Sequence, residues 1–308
     1  MEKDSKIYLA GHSGFVGSAL LEELKNQGYN NIAARSSKEL NLQDADATKK
    51  FFLKEKPEYV FLAAAKAGGI KGIMDNPVEF LRNNIQIYTN VLEGAYRIGV
   101  KKLLFLGSSC TYPIDAQQPF KEETIIAGKF EPNIEPFAIA KAYGTRLCQA
   151  YNREYGTNFI VAVPATLYGL RDNFYDEGGH FTPALIRRLH EAKEEGGEKV
   201  VIWGSGNPRR EVLHVNDAVK AFIFLMNNYD SSEPINVGAG SDISIREFSE
   251  ILKKVIDYTG ELYFDTTKPD GAMEKFMDSG KIKALGWKPE IELEQGLRET
   301  YKWFLENY

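Results

Sequence analysis

A short apolar run followed at once by three evenly spaced glycines constrains the fold of this chain more than any other feature. The run covers residues 6–10, and the glycines fall in GHSGFVG at residues 11–17. Leu20, Leu21 and Leu24 then repeat at helical intervals. A glycine loop between a strand and a helix lets the backbone approach a pyrophosphate at the helix N-terminus. We therefore predict a dinucleotide-binding loop rather than a tight turn without a ligand, with contacts from Gly11, Ser13, Gly14, Phe15, Val16 and Gly17.

Apolar runs alternate with amphipathic stretches throughout the first half of the chain. Strands are predicted at residues 6–10, 31–34, 59–65, 102–107 and 158–164. Helices are predicted between them at residues 18–27, 47–55, 78–98 and 135–155. Because strands that alternate with helices imply parallel crossovers, we predict an α/β protein with a Rossmann-type, doubly wound parallel sheet.

This alternation breaks after about residue 165, which indicates a second and smaller lobe. Residues 168–180 are rich in Gly, Asp and Tyr and are predicted to be a loop, whereas residues 234–240 look like a late strand of the main sheet. We predict a dinucleotide-binding domain of residues 1–165 plus about 211–240. A smaller C-terminal substrate-binding α/β lobe would comprise about 166–210 and 241–308.

Composition narrows the classes of function. The 308 residues carry a net charge of −5 and no dense block of Lys and Arg, which argues against nucleic acid as a partner. The two cysteines, Cys110 and Cys148, are too few for a disulfide framework and fit a reducing cytoplasm. No segment approaches the ~20 apolar residues that a membrane crossing needs. No spacing of His and Cys suggests a metal site, so we expect a soluble cytoplasmic protein without a metal.

The end of the second predicted strand bears on the choice of cofactor. Sites that prefer NAD place an acidic residue there, whereas this chain has Arg35. Because an arginine suits a 2′-phosphate, we predict NADPH/NADP as the cofactor; the alternative is a solvated surface arginine. Asn41 and Asp44 follow, and Asp44 is expected to approach the adenine.

Two later segments carry a resemblance. GSSCTYP at residues 107–113 and FAIAK at residues 137–141 look like the Ser and YxxxK segments of extended short-chain dehydrogenases/reductases. With LAAAKAGGI at residues 62–70, WGSG at 203–206 and KALGW at 283–287, they make nearly the whole chain similar to the GDP-L-fucose synthase family. The resemblance adds Ala64, Lys141 and His180 to the expected cofactor contacts.

The family pattern implies a reductase constellation with one member changed. In that pattern a tyrosine gives its proton to the carbonyl oxygen of the substrate, and a lysine lowers the pKa of that tyrosine and holds the nicotinamide ribose. Ser108, which hydrogen-bonds the carbonyl, and Lys141 match the pattern, but Phe137 stands at the tyrosine position. Phe137 lies four residues before Lys141 and so shares its helical face, yet it has no hydroxyl and cannot act as an acid.

Two explanations for Phe137 stay open at this stage. The chain is either a variant with weakened reduction, natural or engineered, or a homologue with different chemistry. We favour the first, because the residues around Phe137 follow the family pattern. Tyr143 lies two residues beyond Lys141 and should point away from it on a helix, whereas the loop residues Tyr112 and Tyr168 remain open as other proton donors.

The resemblance also implies epimerisation at C3 and C5 of a 4-keto sugar. The 4-keto group acidifies both neighbouring carbons, so one acid/base pair can exchange their protons. Cys110 and His180 stand at the family's positions for that pair. A thiol and an imidazole both titrate near enough to neutral pH for proton exchange. On residue type alone, Cys110 would be a small buried side chain and His180 a loop residue before a helix.

A GDP-sugar substrate needs cations for its diphosphate, and the planar fork of arginine suits phosphate. The resemblance implies that the substrate-binding residues are Arg188, Trp203, Arg210, Lys268 and Asp278. It implies a homodimer that converts GDP-4-keto-6-deoxy-D-mannose to GDP-L-fucose. Thr166 departs from the asparagine usual there. The alternatives are an enzyme for a related GDP-4-keto-deoxysugar, such as a colitose or heptose precursor, or a non-catalytic nucleotide-sugar-binding protein.

Overall fold

The computed structural model describes residues 1–175 and 180–308. Its strands are β1 (Ile7–Ala10), β2 (Ile32–Ala33), β3 (Tyr59–Leu62), β4 (Lys102–Leu106), β5 (Phe159–Pro164), β6 (Thr166–Tyr168), β7 (Lys199–Trp203), β8 (Arg209–Arg210), β9 (Val212–His214), β10 (Ile235–Val237), β11 (Ile243–Ser244), β12 (Glu261–Asp265) and β13 (Glu274–Lys275). Its α-helices are α1 (Phe15–Asn26), α2 (Ala45–Glu55), α3 (Ile70–Asp75), α4 (Pro77–Arg97), α5 (Glu135–Tyr155), α6 (Phe181–Glu194), α7 (Val215–Asn228), α8 (Ile245–Ile256), α9 (Gly280–Ala284) and α10 (Leu293–Asn307).

Six strands form one parallel sheet in the order β10-β5-β4-β3-β1-β2. Helices α4 and α5 pack against each other, as α1 and α7 do, and α7 also lies against β4 and β5. Strands β1 and β4 are buried along their whole length, as expected for strands of a covered parallel sheet. The predicted α/β fold with a Rossmann-type parallel sheet is therefore confirmed.

The order of the strands reverses between β1 and β3. From β1 the chain runs outward to β2 and then returns to β3, which pairs with the other side of β1. In open α/β sheets, ligands bind beyond the carboxyl ends of the strands at such a switch point. Gly11 follows β1 directly, and Ala63 and Ala64 follow β3, so the glycine loop lies at that position.

Two groups of buried apolar residues divide the chain. The first-lobe core surrounds the six-stranded sheet and includes residues of α7 and β10. The second-lobe core draws on α6, β7, α8 and α10. Met277, Ile282 and Trp287 pack in the first-lobe core, although the sequence-based division places residues 241–308 in the second lobe. That division of domains stays a prediction.

The second lobe contains short strands that the sequence does not predict one by one. They form a three-stranded sheet, β11-β8-β13, and two pairs, β12-β7 and β6-β9. Helix α1 begins at Phe15 rather than residue 18, because Gly14 is its N-cap, and α3 was not predicted. Residues 176–179 of the predicted loop lie outside the described residues. Among the residues described, none of the helices combines the length and apolar character that a membrane crossing requires.

Candidate active site

The glycine loop is a cradle that side chains would fill. Gly11 has a positive φ of +89°, and a Cβ there would meet the backbone nitrogen of Ala64 at 2.6 Å. A Cβ on Gly17 would lie 1.9 Å from the carbonyl oxygen of Gly11. Gly14, the N-cap of α1, leaves more room, because its Cβ would meet the same oxygen at 3.6 Å. This close packing at a helix N-terminus fits the pyrophosphate of a dinucleotide.

The predicted selector of the 2′-phosphate lies near the end of β2. The guanidinium of Arg35 donates to Glu55 at 3.0 Å and to the carbonyl oxygen of Ala34 at 2.8 Å. Arg35 therefore has to exchange the Glu55 contact for a phosphate if it binds one. Asp44 caps α2 by accepting from the backbone N–H of Ala47, and Asn41 accepts from Gln43. The cofactor roles of Arg35, Asn41 and Asp44 stay predictions.

A 3-10 turn at Ser109–Thr111 sets Ser108 and Cys110 close together beyond β4. The Oγ of Ser108 accepts from the backbone N–H of Cys110 at 3.3 Å. Cys110 is partly exposed and forms no disulfide. Burial of the thiol raises the pKa of Cys110, and the hydrogen bond with Ser108 and the charge of Lys141 oppose that rise.

Lys141 is a buried cation surrounded by aromatic rings. The residue is 4% exposed, and its ammonium donates to the carbonyl oxygen of Leu106 at 2.6 Å. The rings of Tyr88, Phe105 and Phe137 lie 5.2, 5.1 and 5.6 Å from its nitrogen. Burial lowers the pKa of Lys141 to about 8. Phe137 thus presents a ring face, and no hydroxyl, to the lysine.

The tyrosines considered as substitute proton donors are held elsewhere. The hydroxyl of Tyr143 bonds Thr89 of α4 at 2.7 Å. The hydroxyl of Tyr112 donates to Asn236 at 2.6 Å in a buried contact. Tyr168 is buried in the second-lobe core, with its ring edge-on to His214. Each of these three tyrosines has its hydroxyl or ring in other contacts, so none of the three takes the place of a tyrosine at position 137.

His180 is the N-cap residue of helix α6. Its side chain is 49% exposed, and its Nδ1 lies 3.7 Å from the Oδ1 of Asp172. The interaction with Asp172 raises the pKa of His180, and partial burial opposes that rise. Within residues 1–175 and 180–308, no hydrogen bond or ion pair joins His180 to Cys110. Their partnership stays a prediction.

Three of the predicted substrate residues meet in one cleft of the second lobe. Arg188, Trp203 and Arg210 line a cavity of ≈ 350 Å³. Arg210 is held by donation to the carbonyl oxygen of Ala272 at 2.7 Å, and Trp203 is 72% exposed at the rim. Burial lowers the pKa of both arginines, because removal from water disfavours the charged form. A cleft with two cations and an open indole suits a nucleoside diphosphate.

The other two predicted substrate residues are placed differently. Lys268 lies over the ring of Trp203, 5.7 Å from its centroid, and so stands beside this cleft. Asp278 does not line it; its carboxylate accepts from the backbone N–H of Gly280, and its carbonyl oxygen accepts from Asn236. The carboxylate of Asp278 therefore stabilises the turn before α9, and its carbonyl group joins that turn to β10. The substrate role of Asp278 stays a prediction.

Sequence reasoning missed two carboxylates near these sites. Asp270 lines the arginine cleft and accepts from the backbone and hydroxyl of Ser205 at 2.8 and 2.7 Å. Asp172 is buried beside His180. Both belong to loops rich in Gly, Pro and Asp, where a carboxylate is ordinary. Asp172 differs from an ordinary loop carboxylate because it is buried, and the sequence of a loop does not reveal which of its residues are buried.

Comparison with known proteins agrees with this geometry. Residues 7–238 match the model of the NAD dependent epimerase/dehydratase family. GDP-L-fucose synthase 1 of Arabidopsis thaliana is 48% identical over 99% of this chain and 95% of its own length. A GDP-L-fucose synthetase from Naegleria fowleri, solved with NADP bound, is 31% identical with a TM-score of 0.93, covering 100% of this chain and 96% of that one.

A GDP-6-OMe-4-keto-L-xylo-heptose reductase from C. jejuni is also similar, with 37% identity and a TM-score of 0.94 over 100% of this chain and 99% of that one. The similarity extends over both lobes in each case. Together with the glycine cradle and the Ser108–Lys141 cluster, it settles the family. The chain belongs to the NAD dependent epimerase/dehydratase family, and its sequence groups with the GDP-L-fucose synthases of that family.

Proposed function

We propose that this chain is an NADP-dependent enzyme that converts GDP-4-keto-6-deoxy-D-mannose towards GDP-L-fucose, with epimerisation retained and reduction impaired. The observation that carries the proposal is that Ser108 and Cys110 lie together, near enough to Lys141 for its charge to act on the Cys110 thiol, while the Lys141 ammonium faces the ring of Phe137. The full-length similarity to GDP-L-fucose synthases supports the substrate, and the NADP-bound relative supports the cofactor.

The glycine cradle, Ala64 and Lys141 are the residues that would hold the dinucleotide, with Arg35 near its 2′-phosphate. When bound, NADPH supplies the hydride for reduction at C4. The chain itself supplies the remaining groups. The Ser108 hydroxyl donates to the C4 carbonyl oxygen and stabilises negative charge there as a neighbouring carbon loses its proton.

Cys110 and His180 are the proposed acid/base pair for C3 and C5. Cys110 is partly exposed beside Ser108; burial raises the pKa of its thiol, and the hydrogen bond with Ser108 and the positive charge of Lys141 oppose that rise. The interaction with Asp172 raises the pKa of His180, which favours the protonated ring. A thiolate that takes a proton on one side and an imidazolium that gives one on the other would invert a carbon between them.

Reduction is impaired in this proposal because the alkoxide at C4 lacks a positioned acid. Phe137 has no proton to give, and the hydroxyls of Tyr143 and Tyr112 are held in other contacts. Ser108 or water must then supply the proton, and both are poorly matched donors. Positioned general acids contribute about 10²–10⁴-fold to rate, so reduction should be slowed by a factor in that range.

The test is solvent exchange measured beside cofactor oxidation. In D₂O with GDP-4-keto-6-deoxy-D-mannose, the chain is expected to place deuterium at C3 and C5, observed by NMR, while oxidising little NADPH. Cys110→Ala should abolish the exchange, whereas Cys148→Ala, at a buried core position, should leave it. Absence of exchange by the unaltered chain would overturn the epimerase assignment.

A second candidate substrate is a GDP-4-keto-heptose, because the similar heptose reductase from C. jejuni aligns over the whole chain. The same exchange assay with the heptose substrate separates the two: the preferred substrate is the one with the higher kcat/KM. A cytoplasmic location is the remaining part of the proposal, and the small number of cysteines supports it.

We also propose that the protein is a homodimer that pairs through α4 and α5. These helices pack on each other, yet Val78, Ile139 and Tyr155 remain exposed on them. Apolar side chains left outside the core of a helix pair favour an isologous contact. Light scattering at micromolar concentration should give twice the 34.7 kDa chain mass; a monomer mass would contradict the proposal.

A further inference from the structure

Asp172 is a buried carboxylate that its own loop leaves incompletely paired. The residue is 5% exposed. One oxygen, Oδ1, accepts from the backbone N–H of Asn173 at 2.8 Å, whereas Oδ2 is buried with no hydrogen-bond partner among the described residues. A buried carboxylate is costly unless charge or hydrogen bonds compensate it. We therefore expect a charged or hydrogen-bonding group to compensate the Asp172 carboxylate.

The position of Asp172 is fixed by the second lobe. Arg187 of α6 donates to the carbonyl oxygens of Phe174 and Tyr175, at 3.3 and 3.0 Å. Phe174 is buried against Trp303, Phe304 and Tyr308 of the C-terminal segment. The loop after Asp172 is thus anchored to the second-lobe core, so the carboxylate is a fixed point rather than a swinging side chain.

The charged groups around Asp172 leave His180 as its partner. Arg171 pairs with Glu22 at 2.9 Å, and Arg187 pairs with Glu191 at 3.3 Å. The Tyr308 hydroxyl accepts from the backbone N–H of Phe174; burial raises the pKa of this hydroxyl, and the charge of Asp172 adds to the rise. The ion pair that Asp172 makes within the described residues is with the Nδ1 of His180, at 3.7 Å.

We infer that Asp172 is a positioning residue for His180: it binds the Nδ1–H of the imidazole and turns Nε2 towards the substrate. The chemical role of His180 in this inference rests on the proposed function. An imidazole with one nitrogen held by a carboxylate has a fixed orientation and tautomer, and its other nitrogen is free to exchange a proton. The same pairing accounts for the direction of the His180 pKa, which the Asp172 interaction raises.

Proton NMR of the histidine rings tests the pairing without any need for activity. The sequence has four histidines, and the His180 resonance is the one lost in His180→Gln. In Asp172→Asn the pKa of His180 should fall below its value in the parent chain, because the interaction that raises it is lost. The ring resonance of His190, which bonds Tyr301 at 3.1 Å, is the internal control and should be the same in parent and variant. An unmoved His180 pKa overturns the inference.

The pH profile of solvent exchange is the second readout. In Asp172→Asn the limb assigned to His180 should move to lower pH by the same amount, with kcat reduced at least about tenfold and KM little changed. Glu22→Gln, which removes the partner of neighbouring Arg171, is the matched control and should leave the profile in place. Asp172→Glu keeps the negative charge, so its pH profile should lie between those of the parent and Asp172→Asn. If Asp172→Asn changes KM and leaves kcat and the pH profile as they are, the positioning role is wrong.

The two proposals fail in different ways. If His180→Gln leaves exchange intact, the acid/base role of His180 is wrong, while the NMR titration still decides whether Asp172 binds the ring. If exchange depends on His180 but Asp172→Asn changes neither the titration nor the profile, the proposed function stands and the positioning role is wrong. Thermal melting of Asp172→Asn verifies that the variant is folded before either reading is made.

Discussion

At the scale of single residues, the proposed loss of reduction originates at position 137. The centroid of the Phe137 ring lies 5.6 Å from the nitrogen of Lys141, a cation whose pKa burial lowers to about 8. A nearby cation lowers the pKa of a phenol and prepares it to transfer a proton. The missing oxygen atom, rather than a missing scaffold, is what limits reduction in this proposal.

Phe137→Tyr should therefore raise the rate of NADPH oxidation with GDP-4-keto-6-deoxy-D-mannose by about 10²–10⁴-fold. Exchange at C3 and C5 should keep its dependence on Cys110. Tyr143→Phe is the control, because the Tyr143 hydroxyl bonds Thr89 and not the site. Equal rates for the parent chain and Phe137→Tyr would mean that another group donates the proton and that the assignment of position 137 is wrong.

Glu211 is a second residue whose environment has a measurable consequence. It is buried, and it accepts from the backbone N–H groups of Gly240 at 2.8 Å and Met277 at 3.1 Å. Burial raises its pKa from 4.5 to about 7 in spite of these hydrogen bonds. The folded state thus holds the proton more tightly than the unfolded chain, so this contribution to stability is full below pH 4.5 and is lost as the pH rises to about 7.

One pKa unit corresponds to ~1.4 kcal/mol, so the ionisation of Glu211 should lower the free energy of unfolding by about 3 kcal/mol as the pH rises from 4.5 to about 7. In Glu211→Gln, which cannot ionise, this fall should be absent. Urea unfolding at pH 5 and pH 7.5 is expected to show the free-energy gap between parent and variant shifting in favour of the variant at the higher pH. Glu250→Gln, at an exposed position of α8, should show no such shift; a constant gap for Glu211→Gln would contradict the prediction.

At the scale of elements, the start of α1 depends in different ways on its N-cap, Gly14, and on Gly17 in its first turn. A Cβ on Gly17 would collide with the Gly11 carbonyl oxygen at 1.9 Å, whereas one on Gly14 would meet it at an ordinary 3.6 Å. Gly17→Ala should therefore lower the melting temperature of the free protein and also weaken NADPH binding, since overpacking costs about 1–3 kcal/mol. Gly14→Ala should leave the free protein as stable as before and weaken only binding. Calorimetry with and without cofactor distinguishes the two; equal melting temperatures of the free variants would count against this reading.

The sequence predicts these elements well where the chain is periodic. The strands of the main sheet and helix α5 are confirmed close to their predicted bounds, because buried parallel strands are apolar runs and a long helix has a clear repeat. Helix α3 was missed because it is only Ile70–Asp75 and follows glycines. The two-residue strands β8, β11 and β13 carry no pattern, since pairing across distant segments creates them.

At the scale of the whole molecule, the site is harder to predict than the fold. Ser108, Cys110 and Lys141 are brought together by neighbouring strand and helix ends, which a parallel topology requires. The arginine cleft instead joins α6, β7 and β8 with the segment around Asp270, and no local rule fixes that arrangement. Asp172 and His180 are separated in sequence, and their contact is not set by a local pattern. The loop that carries Asp172 is placed by the packing of Phe174 against C-terminal aromatic residues such as Tyr308.

The return of the chain to β10 affects how the molecule can be made. Strand β5 pairs with β4 on one side and with β10 on the other, and residues 165–234 lie between β5 and β10. As the chain leaves the ribosome, the outer edge of β5 has no partner until that whole stretch has been synthesised. An exposed edge strand is a template for pairing with other chains. The nascent first lobe is therefore open to misassembly during synthesis, and the strand that closes it arrives only after much of the second lobe.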